Sequence, residues 1–115
     1  MQRGNMTQEQ EERIREFIAA CRRVAMADLV RFSSGNMSCR LDDALMAVTA
    51  KGAWLGELER DRVALCRIAD GAPAGGPTPS VESGFHAGIY RVRPDVAVVL
   101  HCQSPCATAV ACGRT

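Results

Sequence analysis

The sequence predicts an α/β fold in which helices pack on both sides of a mixed sheet. Three observations carry that expectation. Ile14, Phe17, Ile18, Cys21, Val24 and Ala25 recur at helical spacing with Glu and Arg between them. Short apolar runs bounded by turn residues follow between Met37 and Ile68. Val96–Leu100 is a continuous apolar run that suits a strand buried on both faces. With 115 residues, the chain is long enough for one core and is read as a single domain over 1–115.

Residues 1–6 read as a disordered tip. Thr7 with Gln10 forms a capping-box pattern that starts a helix running to about residue 29. Ser33-Ser34-Gly35-Asn36 breaks it. Met37–Leu41 and Leu45–Thr49 read as strands joined by a turn at Asp42-Asp43. Ala50-Lys51-Gly52 is a second turn, and Leu55–Leu58 a helical turn. Val63–Ile68 is a third strand, closed by Asp70-Gly71. Three prolines and two glycines make residues 72–79 a loop. Ser80 is the expected N-cap of a helix to about Val92, with Glu82 in its first turn, where the helix dipole favours negative charge. Pro94-Asp95 ends that helix ahead of the Val96–Leu100 strand. Ser104-Pro105 is an N-cap and first-residue pair for a third helix over Cys106–Cys112.

The composition narrows the function. A hydrophobic content of 47% indicates a globular chain. A formal net charge of +1 argues against a dedicated nucleic-acid surface. No run reaches the length of a membrane span and no apolar signal segment follows the basic start, so no membrane partner is expected. The six cysteines form no Cys-x-x-Cys pair and sit mostly among apolar residues. They read as buried, reduced thiols of a cytoplasmic protein.

Several polar groups fall at the ends of predicted elements, where a rigid scaffold presents chemistry. Glu82 and His86 are four residues apart and share one helix face. They are an acid/base pair or a surface carboxylate beside a packed histidine. His101 stands at the C-terminal end of an apolar strand, the end at which α/β sheets bind ligands. It is a metal ligand or a hydrogen-bonded strand-end histidine. Gln103 would point to the same side, but an amide is a poor ligand for zinc. Ser33-Ser34-Gly35-Asn36 offers hydroxyls, an amide and a glycine turn that would cradle an anion, with Lys51-Gly52 as a second contact.

Taken together, four segments resemble the class II aldolase/adducin family, which includes fuculose-phosphate and ribulose-phosphate aldolases and epimerases. They are Ser34-Gly35-Asn36-Met37-Ser38; Thr49-Ala50-Lys51-Gly52; Pro79-Ser80-Val81-Glu82 through Phe85-His86 and Tyr90; and Arg93-Pro94-Asp95-Val96 through His101. The resemblance covers nearly the whole chain from about residue 8. It implies a three-layer α/β/α sandwich, a divalent zinc-type ion, a carbohydrate substrate and a homotetramer. It also implies roles. Gly35, Asn36, Gly52 and Ser80 would bind the substrate phosphate, Glu82 would be the catalytic acid/base, and His101 would be a metal ligand. Gln103 stands where the family has the second histidine of its His-x-His motif, and Val81 where it has a serine. Family members are longer, and their remaining histidine ligand lies beyond this chain. The chain therefore reads as a C-terminally incomplete sandwich whose zinc site is altered or incomplete, with metal binding weak or absent. The leading reading is a metal-dependent class II sugar-phosphate aldolase that cleaves a hydroxyketone or hydroxyaldehyde phosphate. The alternatives are a non-catalytic, adducin-like self-association module, or an aldolase/epimerase-type enzyme for an unphosphorylated sugar acid. Uncovered apolar surface predicts a homo-oligomer.

Overall fold

The computed structural model describes residues 6–27, 35–102 and the backbone of 108–112. In chain order the elements are α1 (Gln8–Met26), β1 (Gly35–Arg40), β2 (Leu45–Thr49), β3 (Val63–Arg67), β4 (Pro73–Gly75), α2 (Ser83–Val92), β5 (Val96–Cys102) and β6 (Thr108–Cys112). Single 3-10 turns occupy Leu55–Glu57 and Arg60–Arg62. The strands form one sheet in the order β4-β3-β2-β1-β5-β6.

The capping box at Thr7 and Gln10 is formed in both directions. Ile14, Phe17 and Cys21 turn one stripe of α1 onto the sheet, against Met37, Cys39, Leu55, Leu58 and Val63. On the opposite face, Ala87 and Tyr90 of α2 pack on Met46, Val48, Ala64, Cys66, Val96 and Val99. Alternation along the strands separates the two cores: Ala47 lies under α1, and Met46 and Val48 lie under α2. The architecture is thus the expected three-layer α/β/α sandwich. Each large aliphatic side chain buried this way contributes roughly 1.5–3 kcal/mol of transfer free energy.

Four local expectations are corrected. The sheet is not mixed: among the described residues all five strand pairings are antiparallel. The α2 crossover does join strands that run in the same direction, β4 and β5. However, β5 docks beside β1 at the far side of the meander, so the two never pair. The third helix is instead β6, whose backbone pairs with β5 from Val96↔Cys112 to His101↔Thr108 and satisfies that side of the strand. Residues 72–79 are not all loop, because Pro73–Gly75 adds an edge strand to β3. A proline is tolerated there because an edge strand has one unpaired side. Finally, the N-cap of α2 is Glu82, not Ser80. Pro79 bridges to Ala50, and the Ser80 N–H donates to the Thr49 carbonyl at 3.0 Å, so Ser80 is still tied to the sheet. Helical bonding begins two residues later, with the His86 N–H donating to the Glu82 carbonyl. Residues 1–5 of the tip, Ser33-Ser34, Gln103 and Ser104-Pro105 lie outside the described residues, whereas Met6 packs against the α1-side core.

Cys21, Cys39, Cys66 and Cys102 are buried and in no disulfide, as expected. Burial pushes the Cys39 thiol up to about 12, which makes it a hydrophobe rather than a nucleophile. No helix among the described residues is long and apolar enough to cross a membrane.

Candidate active site

The site is built where the start of β1, the ends of β2 and β5 and the start of α2 meet. Asn36 and His101 are direct partners across the β1–β5 ladder, so their side chains share the α2 face of the sheet. His86, fully buried on α2, bonds to both Asn36 and Ser38. Its Nε2 lies 2.5 Å from Asn36 Oδ1 and its Nδ1 lies 2.6 Å from Ser38 Oγ. Ser38 Oγ is also 2.8 Å from the Tyr90 hydroxyl. Phe85, one residue before His86, reaches the second histidine: its ring centroid is 6.0 Å from that of His86 and 5.8 Å from that of His101. Burial, reinforced by the neighbouring His101, pulls His86 down to about 4, so its ring is neutral at physiological pH. His101 Nδ1 is buried and makes no hydrogen bond, the one such side-chain atom among the described residues.

A second cluster lies beside the first. Thr49 Oγ1 accepts the N–H of Met37, next to Asn36, at 3.3 Å. The Thr49 carbonyl accepts the Ser80 N–H, and the Thr78 carbonyl accepts the Lys51 N–H at 2.9 Å. The Thr49–Gly52 turn and the Thr78–Ser80 segment are thereby stapled together. The turn closes with the Ala53 N–H donating to the Ala50 carbonyl, which places Gly52 at φ +75°, a region that favours glycine. A Cβ built on Gly52 would meet nothing within 4 Å. Gly52→Ala is therefore expected to cost only the backbone strain, about 1 kcal/mol, with no steric clash; thermal unfolding measures it. Ser80, buried, accepts the Glu82 N–H at its hydroxyl oxygen at 3.1 Å, which leaves the hydroxyl hydrogen available. Glu82 is half-buried and makes no capping hydrogen bond with its side chain.

The sequence-derived candidates Asn36, Gly52, Ser80, Glu82 and His101 therefore fall in one sector, joined through Thr49 and His86. Gly35 starts β1 opposite Cys102. Sequence reasoning left three participants without a role: Thr49, Ser38 and Tyr90. Two had a readable signal. Ser38 is two residues from Asn36 on one strand face, and Tyr90 is four from His86 on one helix face. For His86, the packed-histidine alternative is the one that holds.

Comparison with known proteins assigns the family. A family model described as the Class II Aldolase and Adducin N-terminal domain matches residues 15–115. The chain belongs to this family. Among class II aldolase relatives, the methylthioribulose-1-phosphate dehydratase of Pectobacterium carotovorum subsp. carotovorum is 36% identical over 105 residues, covering 91% of this chain and 50% of the relative. The 3-oxo-tetronate 4-phosphate decarboxylase of Pectobacterium atrosepticum is 38% identical over 80 residues, covering 70% and 36%. Among solved structures, YgbL from Escherichia coli superimposes with a TM-score of 0.75 at 29% identity, over 86% of this chain and 47% of that one. The L-fuculose 1-phosphate aldolase of Glaciozyma antarctica gives 0.70 at 21%, over 89% and 45%, a likeness of fold. The chain spans about half the length of the curated methylthioribulose-1-phosphate dehydratases it matches.

The divalent ion that the family implies can be tested against the side chains. His101 offers one uncommitted buried nitrogen. Among the described residues, however, no three His, Cys, Asp or Glu side chains converge into a metal-binding group. Zinc sites use three or four protein ligands, so the described residues alone do not make one.

Proposed function

We propose that this chain forms the phosphate-binding and proton-transfer part of a lyase that dehydrates a phosphorylated hydroxyketone. The observation that carries the reading is that Thr49 ties the strand beside Asn36 and the Ser80 backbone to the turn holding Gly52, with Glu82 bonded to Ser80. The two clusters divide the labour. The Asn36 amide, the Gly52 turn and the Ser80 hydroxyl hold the phosphate, which fixes the substrate's carbon chain relative to Glu82. The Glu82 carboxylate takes the proton from the carbon beside the carbonyl. The electron pair left behind forms the new carbon–carbon double bond as the neighbouring hydroxyl departs, taking the proton that Glu82 removed and so leaving as water. Relatives of 36% identity named methylthioribulose-1-phosphate dehydratase favour dehydration over the carbon–carbon cleavage expected from the sequence. They also favour an enzyme over a self-association module. Incubating the protein with methylthioribulose 1-phosphate in the presence of divalent metal tests the proposal. Loss of one water from the substrate is expected; an unchanged substrate, or cleavage of its carbon chain, refutes it.

Two properties follow for the chain as it stands. Its zinc should be weakly held. Elemental analysis after purification without chelator is expected to give well under one zinc per chain, and a tight stoichiometric ion would mean that residues outside the described ones complete the ligand set. The chain should also self-associate. Val98 and Leu100 of β5 remain half-buried on the α1 side of the sheet, leaving apolar surface for a second copy. Light scattering at tens of micromolar should show an oligomer; a monomer contradicts it.

A further inference from the structure

The hydrogen bonds behind Asn36 have a direction, and that direction decides which end of the amide faces the site. His86 Nε2 sits 2.5 Å from Asn36 Oδ1. An amide oxygen only accepts, so Nε2 carries the hydrogen. In the neutral ring Nδ1 is then an acceptor, and Ser38 Oγ, 2.6 Å away, gives it a proton. That spends the single hydrogen of Ser38, so the Tyr90 hydroxyl at 2.8 Å must donate to Ser38. Tyr90 is the end of the chain. Ser38, His86 and Tyr90 are all at most 1% exposed. Run in reverse, the relay would leave the buried Tyr90 hydrogen without an acceptor among the described residues, which is disfavoured in a dry interior.

We infer that Tyr90, Ser38 and His86 are positioning residues: their one-way relay clamps the Asn36 amide oxygen inward and turns its NH2 group out to the anion. The inference rests on the reading of Asn36 as a phosphate contact. In the opposite orientation Asn36 would show an oxygen to the phosphate and repel it. The relay thus selects an anion over a cation without touching either.

The test uses the 15N-labelled chain. Long-range 1H–15N correlation spectra at neutral pH report which ring nitrogen of His86 is protonated. The Nε2–H form is expected; the Nδ1–H form overturns the relay. Affinity for inorganic phosphate is then measured by calorimetry in the parent, Ser38→Ala and Tyr90→Phe. Ser38→Ala should weaken the Nε2–H preference and reduce phosphate affinity about tenfold. Tyr90→Phe keeps the ring and its packing, should shift both readouts the same way, and decides the matter if Ser38→Ala does not fold. Folded variants with lower thermal stability but an unchanged tautomer and unchanged affinity would show a merely structural role and overturn the inference. A parent chain that binds no phosphate refutes the phosphate reading of Asn36, while the tautomer still decides the relay.

Discussion

Glu82→Gln is expected to lower turnover of methylthioribulose 1-phosphate by about 10²–10⁴-fold while leaving the fold and phosphate affinity intact. The reason lies in where the residue sits. Glu82 is the N-cap of α2 but does not use its side chain to cap it. The helix therefore loses no hydrogen bond when the carboxylate becomes an amide. The change keeps shape and size and removes only basicity. Ser80 holds the Glu82 backbone N–H through its hydroxyl, a contact that the change of side chain leaves in place. Circular dichroism checks the fold and calorimetry with phosphate checks the anchor. Turnover retained within a few-fold of the parent would remove Glu82 from the proton transfer.

The second large effect is on stability and is read through pH. His86 is buried and its folded-state value is lowered from 6.5 to about 4. Between those two values the unfolded chain takes up a proton that the folded chain refuses. The contribution is therefore fully present above about pH 6.5, falls as the pH drops, and levels off below about pH 4. Over that window the folded state loses about 3 kcal/mol. Carboxylates titrate in part of the same range, so the comparison is with His86→Gln, which keeps amide hydrogen bonding and cannot titrate. The parent should lose stability more steeply than the variant between pH 6.5 and 4, as measured by urea unfolding at each pH. Parallel curves would show that His86 is not held neutral by burial.

Most of the layer order was legible because it follows from periodicity. The Ile14–Phe17–Cys21 stripe, the capping box and the Val96–Leu100 run each specify an element through local patterning. The errors arose where pairing partners decide the outcome. Ala109 and Ala111 suit a helix by propensity, but the free side of β5 recruits them into β6. Pro73 reads as a breaker, yet it sits on an edge where its missing N–H costs nothing. Ser80 has the chemistry of an N-cap, but its backbone is held by Thr49. The site divides in the same way. Asn36, Gly52, Ser80, Glu82 and His101 were visible from the resemblance of their segments to a known family. That Asn36 faces His101 across the ladder, and is held by a histidine from another layer, depends on register and crossover, which one sequence does not reveal.

The central claim, that an anion is bound by Asn36, Gly52 and Ser80, can be tested in one titration. Backbone and side-chain 1H–15N spectra are followed as inorganic phosphate is added to the chain. The account predicts saturable shifts at Asn36, Gly52 and Ser80, including the Asn36 side-chain NH2. The rival location is on the other side of the sheet, where Arg13, Arg23 and Glu16 line a cavity of about 560 Å³ with Phe17 and Val98. Shifts confined to those arginines and their neighbours, with Asn36, Gly52 and Ser80 unmoved, would contradict the account.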